Sequence, residues 1–214
     1  MMNNKILFTS VAALFALVFF AAVMVYNSQK NTSLAAEVVP ALERIGAPEK
    51  GGKNAKVTIV EFFDPACGTC SQFYPLVNNL VKKYQGRVKV VMRYAPLHQG
   101  SEDVVKMLDA AHIQGQFWPA VELLFANQQA WVEHHVSNPQ RALAGIKTLP
   151  LDHDQLERDW QSSKVAATIA QDIKDGQTLQ VRATPQFFVN NKPLLVFGYQ
   201  ELVELVEQAL AEAY

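Results

Sequence analysis

Residues 57–70 read VTIVEFFDPACGTC, and the order of features in that stretch decides the fold. Val57 to Phe63 is a β-branched and aromatic run with the length of a buried strand. Asp64-Pro65 ends it. Cys67 follows, and then a segment in which Phe73, Leu76, Val77 and Leu80 repeat at helical spacing until Gly86 closes it. Val88 to Tyr94 (VKVVMRY) is a second strand, ended by Pro96. Strand, helix and strand make a βαβ unit, with Cys67-Gly68-Thr69-Cys70 where sheet passes into helix.

That placement carries chemistry. A thiol at a helix N-terminus faces unpaired backbone N–H groups and the positive end of the helix dipole. Both favour thiolate over thiol, and thiolate is the attacking species in disulfide exchange. Cys70 lies three residues on, on the same helix face, close enough to close a disulfide or resolve a mixed one. Cys67 is therefore expected to be the exposed nucleophile and Cys70 the more buried resolving thiol. These are the only two cysteines in 214 residues. A disulfide framework needs more of them, and a structural zinc site needs about four ligands. No second Cys or His cluster offers the other half of a metal site. The adjacent His134-His135 pair, placed on a helix, points its rings apart and reads as a solvated surface feature. An inert structural disulfide is the plain alternative.

Working outward, Ile6 to Tyr26 is an apolar run broken only by Thr9 and Ser10 before the tyrosine. As a helix it spans roughly 30 Å, enough to cross a bilayer core. It reads as an uncleaved anchor, with cleavage of a signal near Ala35 as the alternative, and either form exports the rest of the chain. Lys5 and Lys30 flank it too evenly to fix orientation. Asn27 to Ala36 is a polar linker, and Glu37 to Ile45 a short helix with Pro40 in its first turn, broken by Gly51-Gly52. Charges nearly cancel, with 19 Lys and Arg against 20 Asp and Glu, so neither nucleic-acid binding nor acidic disorder is indicated.

From Ser101 to Asp175 apolar residues recur at helical spacing (Val104, Val105, Leu108; Val121, Leu124, Phe125), punctuated by Pro119, Pro139 and Pro150. Several helices in succession are expected, the last over Val165 to Ile173. Strand character returns at Gln186 to Asn190. Asn190 to Pro193 forms a turn, and Leu194 to Phe197 pairs back as a hairpin. A final helix, Gln200 to Ala213, places Leu202, Val206, Ala209 and Ala213 on one face.

Taken together, these motifs resemble the DsbA-like branch of the thioredoxin superfamily. Glu61 to Cys70 resembles its active-site strand and motif, Pro75 the proline inside the thioredoxin helix, and Ala183-Thr184-Pro185 the cis-proline loop. The helical block resembles the insertion that separates DsbA-like proteins from plain thioredoxin. The resemblance covers roughly residues 50 to 214 and implies an α/β thioredoxin fold with an inserted α-helical domain, preceded here by an N-terminal transmembrane helix. The parts are residues 1–36 (signal-anchor and linker), 37–100 (first thioredoxin-like part), 101–176 (helical insertion) and 177–214 (second thioredoxin-like part).

The resemblance also implies roles. Pro185 is cis and faces the cysteines, and the Thr184 backbone pairs with an extended substrate segment while its hydroxyl nears the sulfurs. Glu61 lies beneath the site and moves the proton of the buried cysteine, with Lys89 on the next strand as its partner. Gly68 and Thr69 tune the thiolate. DsbA-type oxidases usually carry histidine where Thr69 stands, so a less oxidising disulfide is expected, and a threonine before the cis-proline is more typical of isomerases and reductases. The implied activity is thiol–disulfide exchange with exported thiol- or disulfide-containing proteins in a bacterial periplasm, anchored to the inner membrane, regenerated by a membrane redox partner and using no cofactor. The alternatives are a dedicated reductant or isomerase for one partner, and a copper- or client-binding module on the same fold.

Overall fold

The computed structural model describes residues 19–24, 41–42 and 44–214. Its centre is strand β2 (Val57–Phe63), which is buried on both faces, as its nearly unbroken apolar run requires. β2 pairs in parallel with β3 (Val88–Tyr94), from Val57 opposite Val88 to Phe63 opposite Tyr94. On its other side it pairs antiparallel with β6 (Gln186–Val189). The sheet order is β1-β3-β2-β6-β7, with β1 at Glu49–Gly51 and β7 at Lys192–Pro193. β1 stands where a helix break was read, and its three residues are exposed. A Cβ on Gly51 would lie 2.5 Å from the Val88 carbonyl oxygen, so this edge strand approaches β3 too closely for any side chain there.

Alternation along β2 and β3 divides the sheet into two faces. Val57, Ile59 and Phe63 join Val88, Val90, Met92 and Tyr94 in the main core, under helix α1 (Gly68–Lys83). The opposite face carries Phe62 and a fully buried arginine, Arg93. Its guanidinium donates to Asp172 at 2.9 Å, to Asp175, and to the Ala41 and Leu42 carbonyls; Arg44 also bonds to Asp172. Nothing in VKVVMRY distinguishes a buried arginine from one at a solvated strand end.

Between β3 and β6 the chain forms helices α2 (Ser101–Ile113), α3 (Phe117–Ala126), α4 (Gln128–Trp131), α5 (Pro139–Ile146), α6 (His153–Trp160) and α7 (Ser163–Thr178). A small hairpin, β4 (Val132–Glu133) and β5 (Val136–Ser137), interrupts them. His134 and His135 are its two-residue turn, at φ 49° and 65°, and not helix residues. Two exposed left-handed residues match the twist of paired strands, which overrides helical periodicity. The C-terminal hairpin uses the same device at Asn190-Asn191, φ 45° and 69°. Because two residues suffice for the turn, pairing resumes at Lys192, and Leu194 to Phe197 is irregular instead of a strand. Helix α8 (Tyr199–Ala213) then packs Leu202, Val206 and Ala209 into the core.

The expected membrane segment, Ile6 to Tyr26, lies outside the described residues except for 19–24, which are helical and exposed. Among the described residues no helix is long and apolar enough to cross a membrane. Of the expected helix over Glu37 to Ile45, residues 41–42 are helical, 44–46 are not, and the remainder lie outside the described residues.

Candidate active site

Cys67 is the N-cap residue of α1, at φ −76° and ψ 118°. Its backbone is still extended, so its sulfur looks onto N–H groups of the first turn that have no partner within the helix. Cys70 sits one turn on, inside the core. Both are free thiols. Cys67 is only 7% exposed and Cys70 not at all, so the expected exposed nucleophile is in fact largely covered, though it remains the more accessible of the two. The cover comes in part from the loop before β6: the Thr184–Pro185 peptide bond is cis, Pro185 is buried, and the Cys67 thiol donates to the Thr184 carbonyl oxygen at 3.2 Å.

The surroundings push the two thiols apart. Cys67 falls from 9.0 to about 5, chiefly through a hydrogen bond from the Cys70 thiol. The Thr184 side chain and the N–H groups of Cys70 and Thr69 add to this, and burial opposes it. The Thr184 carbonyl serves only the thiol form, because an anion offers it no proton. Cys70 is raised well above the ordinary thiol value, first by burial and then by its bond to Cys67 and by the charges of Glu61 and Cys67. One sulfur is thus an anion at neutral pH, and the other holds its proton.

Glu61 belongs to β2 and shares the core face with the cysteines. It is buried, and neither carboxylate oxygen has a hydrogen-bond partner. Burial and, secondly, the Cys67 charge raise it from 4.5 to about 8. Lys89 is not its partner. Lys89 stands opposite Thr58 and Glu61 opposite Met92, so the strand alternation puts the two side chains on opposite faces of the sheet. Lys89 instead bonds to Glu49 on β1, at 3.0 Å. Gly68 is exposed, and a Cβ there would meet only Gln128 Oε1, at 3.8 Å, so space does not demand glycine. Thr69 is half-buried, and its nearby N–H helps lower Cys67 although the sulfur makes no capping hydrogen bond to the helix.

Sequence reasoning passed over two further groups at this site. Gln128, on α4, donates to the Pro65 carbonyl at 2.8 Å, bringing the helical block against the motif. No local pattern marks that contact. Asp64 reads as a strand terminator, yet it is wholly buried and its carboxylate bonds to the loop after β3. An acid within an otherwise apolar run was the available signal.

A parallel-centred sheet with a thiol pair capping a helix beside a cis-proline loop defines a thioredoxin-fold protein with a dithiol centre. A family model described as Thioredoxin matches residues 45–208. The chain belongs to that thioredoxin family. It is similar to a thioredoxin-like oxidoreductase from Silicibacter pomeroyi, at 29% identity and TM-score 0.70, covering 82% of this chain and 98% of that one. It is also similar to BdbD from Bacillus subtilis, at 27% identity and TM-score 0.68, covering 78% and 94%. Among curated proteins, 146 residues are 33% identical to part of the Na(+)/H(+) antiporter NhaA 3 of Salinispora tropica, covering 67% of this chain and 21% of that protein. The chain thus spans about a fifth of the length of the curated relatives it matches.

Proposed function

We propose that this protein is a thiol–disulfide oxidoreductase acting on exported proteins through Cys67 and Cys70. The observation that carries the reading is the Cys67 sulfur at the N-cap of α1, in contact with the cis-proline loop and next to a buried second thiol, in surroundings that lower its pKa to about 5. The Cys67 thiolate attacks one sulfur of a client disulfide and expels the other as thiolate, leaving a Cys67–client mixed disulfide. Cys70 then gives up its proton and attacks Cys67, which closes Cys67–Cys70 and releases the reduced client. The reverse sequence oxidises a client dithiol.

Glu61 takes the Cys70 proton in this scheme. In the dithiol form, burial and the Cys67 charge keep Glu61 protonated. Forming the mixed disulfide neutralises Cys67, so Glu61 ionises more readily at the moment a base is needed beneath Cys70. Thr184 holds an extended client segment through its backbone, and Gly68 and Thr69 set how strongly the thiolate is held. An apolar shelf beside the site supports protein clients: Leu195, Val196, Phe197 and Tyr199 are exposed. Phe73, one turn after Cys70, stacks on Tyr199 with ring centroids 4.3 Å apart.

A Cys67 value of about 5 falls between about 3.5 for a strongly oxidising centre and about 7 for a reducing one. A measured redox potential near about −120 mV would mark a strong oxidant, and one near about −270 mV a reductant. The apolar run over residues 6–26 supports attachment to the inner membrane with residues 37–214 in the periplasm, where a membrane partner resets the redox state. The antiporters' transport activity is not carried over, since the shared stretch is a small part of them. Insulin reduction and scrambled-ribonuclease refolding test the proposal. Cys67→Ser abolishes both; full activity in either assay would overturn it. Cys70→Ala accumulates mixed disulfides, and the number of trapped partners separates a general catalyst from a relay dedicated to one protein.

A further inference from the structure

Asp64 occupies a position that the exchange mechanism leaves unexplained. Its side chain is fully buried three residues before the nucleophile. Oδ1 accepts from the Ala66 N–H at 2.8 Å, and the Asp64 carbonyl accepts from the Cys67 N–H at 3.0 Å, so this residue shapes the turn into α1. Oδ2 faces the other way, into the loop joining β3 to α2. There it accepts from the Leu97 N–H at 2.7 Å and the His98 N–H at 2.8 Å. It also accepts from His98 Nδ1 at 2.8 Å. Ser101 Oγ lies 3.0 Å from Oδ2 and 2.8 Å from the His98 carbonyl, sharing one proton between them.

The far side of that loop is braced by the hairpin of the helical block. The His98 ring stacks on His135, with centroids 5.8 Å apart. Ser137 N–H donates to the Gln99 carbonyl at 2.9 Å. At Gly100 (φ 79°) a Cβ would stand 2.9 Å from the Ser137 carbonyl oxygen, so the contact is close along its length. The donors that hold Oδ2 are therefore fixed in place, and a buried carboxylate with this many partners costs more to move than a surface one. The Asp64 backbone N–H also acts, weakly, to lower the Cys70 thiol against the burial that raises it.

We propose that Asp64 is a positioning residue for the nucleophile: its carboxylate locks the turn into α1 against the braced loop 97–101 and so holds the Cys67 sulfur in line with the first N–H groups of the helix. This rests on the reading of Cys67 as the reacting thiolate. Its role contrasts in sign with that of a bare charge. An anion close to Cys67 disfavours the thiolate, so if Asp64 acted through charge alone, neutralising it would lower the Cys67 pKa. If it acts by holding geometry, neutralising it lets the turn slip and raises the Cys67 pKa. In Asp64→Asn the amide nitrogen meets either the Ala66 N–H or the cluster of N–H groups around Oδ2, so one side of the lock fails in either orientation.

The experiment is a thiolate titration by ultraviolet absorbance, with alkylation rates at mildly acidic pH, on the full-length reduced protein and on Asp64→Asn. Circular dichroism and thermal unfolding report whether the variant is folded. The expected result is a folded variant whose Cys67 titrates about one pH unit higher and is alkylated about threefold more slowly at a pH midway between the two values. Its disulfide would also be less oxidising. An unchanged or lowered Cys67 pKa in folded Asp64→Asn overturns the proposal. Should Asp64→Asn not fold, the double variant His98→Ala/Ser101→Ala keeps the carboxylate and removes two of its partners. A smaller rise in that variant supports the lock, and no rise overturns it. Failure of the underlying reading shows differently, as an ordinary thiol titration of Cys67 in the unaltered protein.

Discussion

Replacing Glu61 with glutamine is expected to stabilise the reduced protein at neutral pH and to leave it nearly unchanged in acid. Burial, then the Cys67 charge, raise this carboxyl from 4.5 to about 8. Across that interval the folded chain keeps a proton that the unfolded chain has lost, so stability falls as pH rises. The penalty is absent below 4.5, grows through the interval and is complete above about 8. At ~1.4 kcal/mol per pH unit it amounts to about 3 kcal/mol at neutral pH and ~5 kcal/mol at most. Glutamine matches the shape, cannot ionise, and inherits the same absence of hydrogen-bond partners. Cys67 tilts the other way: lowered from 9.0 to about 5, it adds stability as pH rises between those values. Between about 5 and 8 the two slopes oppose each other, so the unaltered protein has a nearly flat profile there and only the difference between variants isolates Glu61. The assay is urea unfolding of both reduced proteins from about pH 4 to about pH 9. A difference that does not depend on pH, or a variant less stable at neutral pH, would refute the account of Glu61 as a carboxyl kept protonated by burial.

Lys89→Met should leave both the pH dependence of exchange and the stability within about 1 kcal/mol of the parent, because its partner Glu49 is an exposed residue on an edge strand; a displaced pH–rate profile would return Lys89 to the proton path. Arg93→Met should cost about 3–5 kcal/mol by denaturant unfolding, since it strands Asp175 without its buried counter-ion and leaves Asp172 with Arg44 alone. Thr184→Val, which keeps the shape and removes the hydroxyl, should raise the Cys67 pKa in a thiolate titration; an unchanged value would mean that the Thr184 side chain contributes nothing to the anion.

Several parts of this molecule were legible along the chain because their causes are local. β2, β3 and the first helix follow from runs of apolar residues with the right period, and the dithiol follows from two cysteines at a strand–helix junction. Local cues also misled. His134-His135 sits among helices in sequence, yet strand pairing with Ser137 and Val132 turns it into a hairpin tip. Lys89 lies on the strand beside Glu61, but a register of three residues reverses its face.

What the sequence alone determined is the chemistry on offer: two thiols at a helix start, an acid in an apolar strand and a proline ahead of the last hairpin. All of these depend on neighbours within a few residues. Only the tertiary structure decided how that chemistry is poised. Thr184 reaches Cys67 across 117 residues of chain, Gln128 reaches Pro65 across 63, and Asp64 Oδ2 finds its donors more than thirty residues on. Desolvation and hydrogen bonding depend on distance in space, and where the chain folds back to supply or withhold partners is a property of the packed molecule.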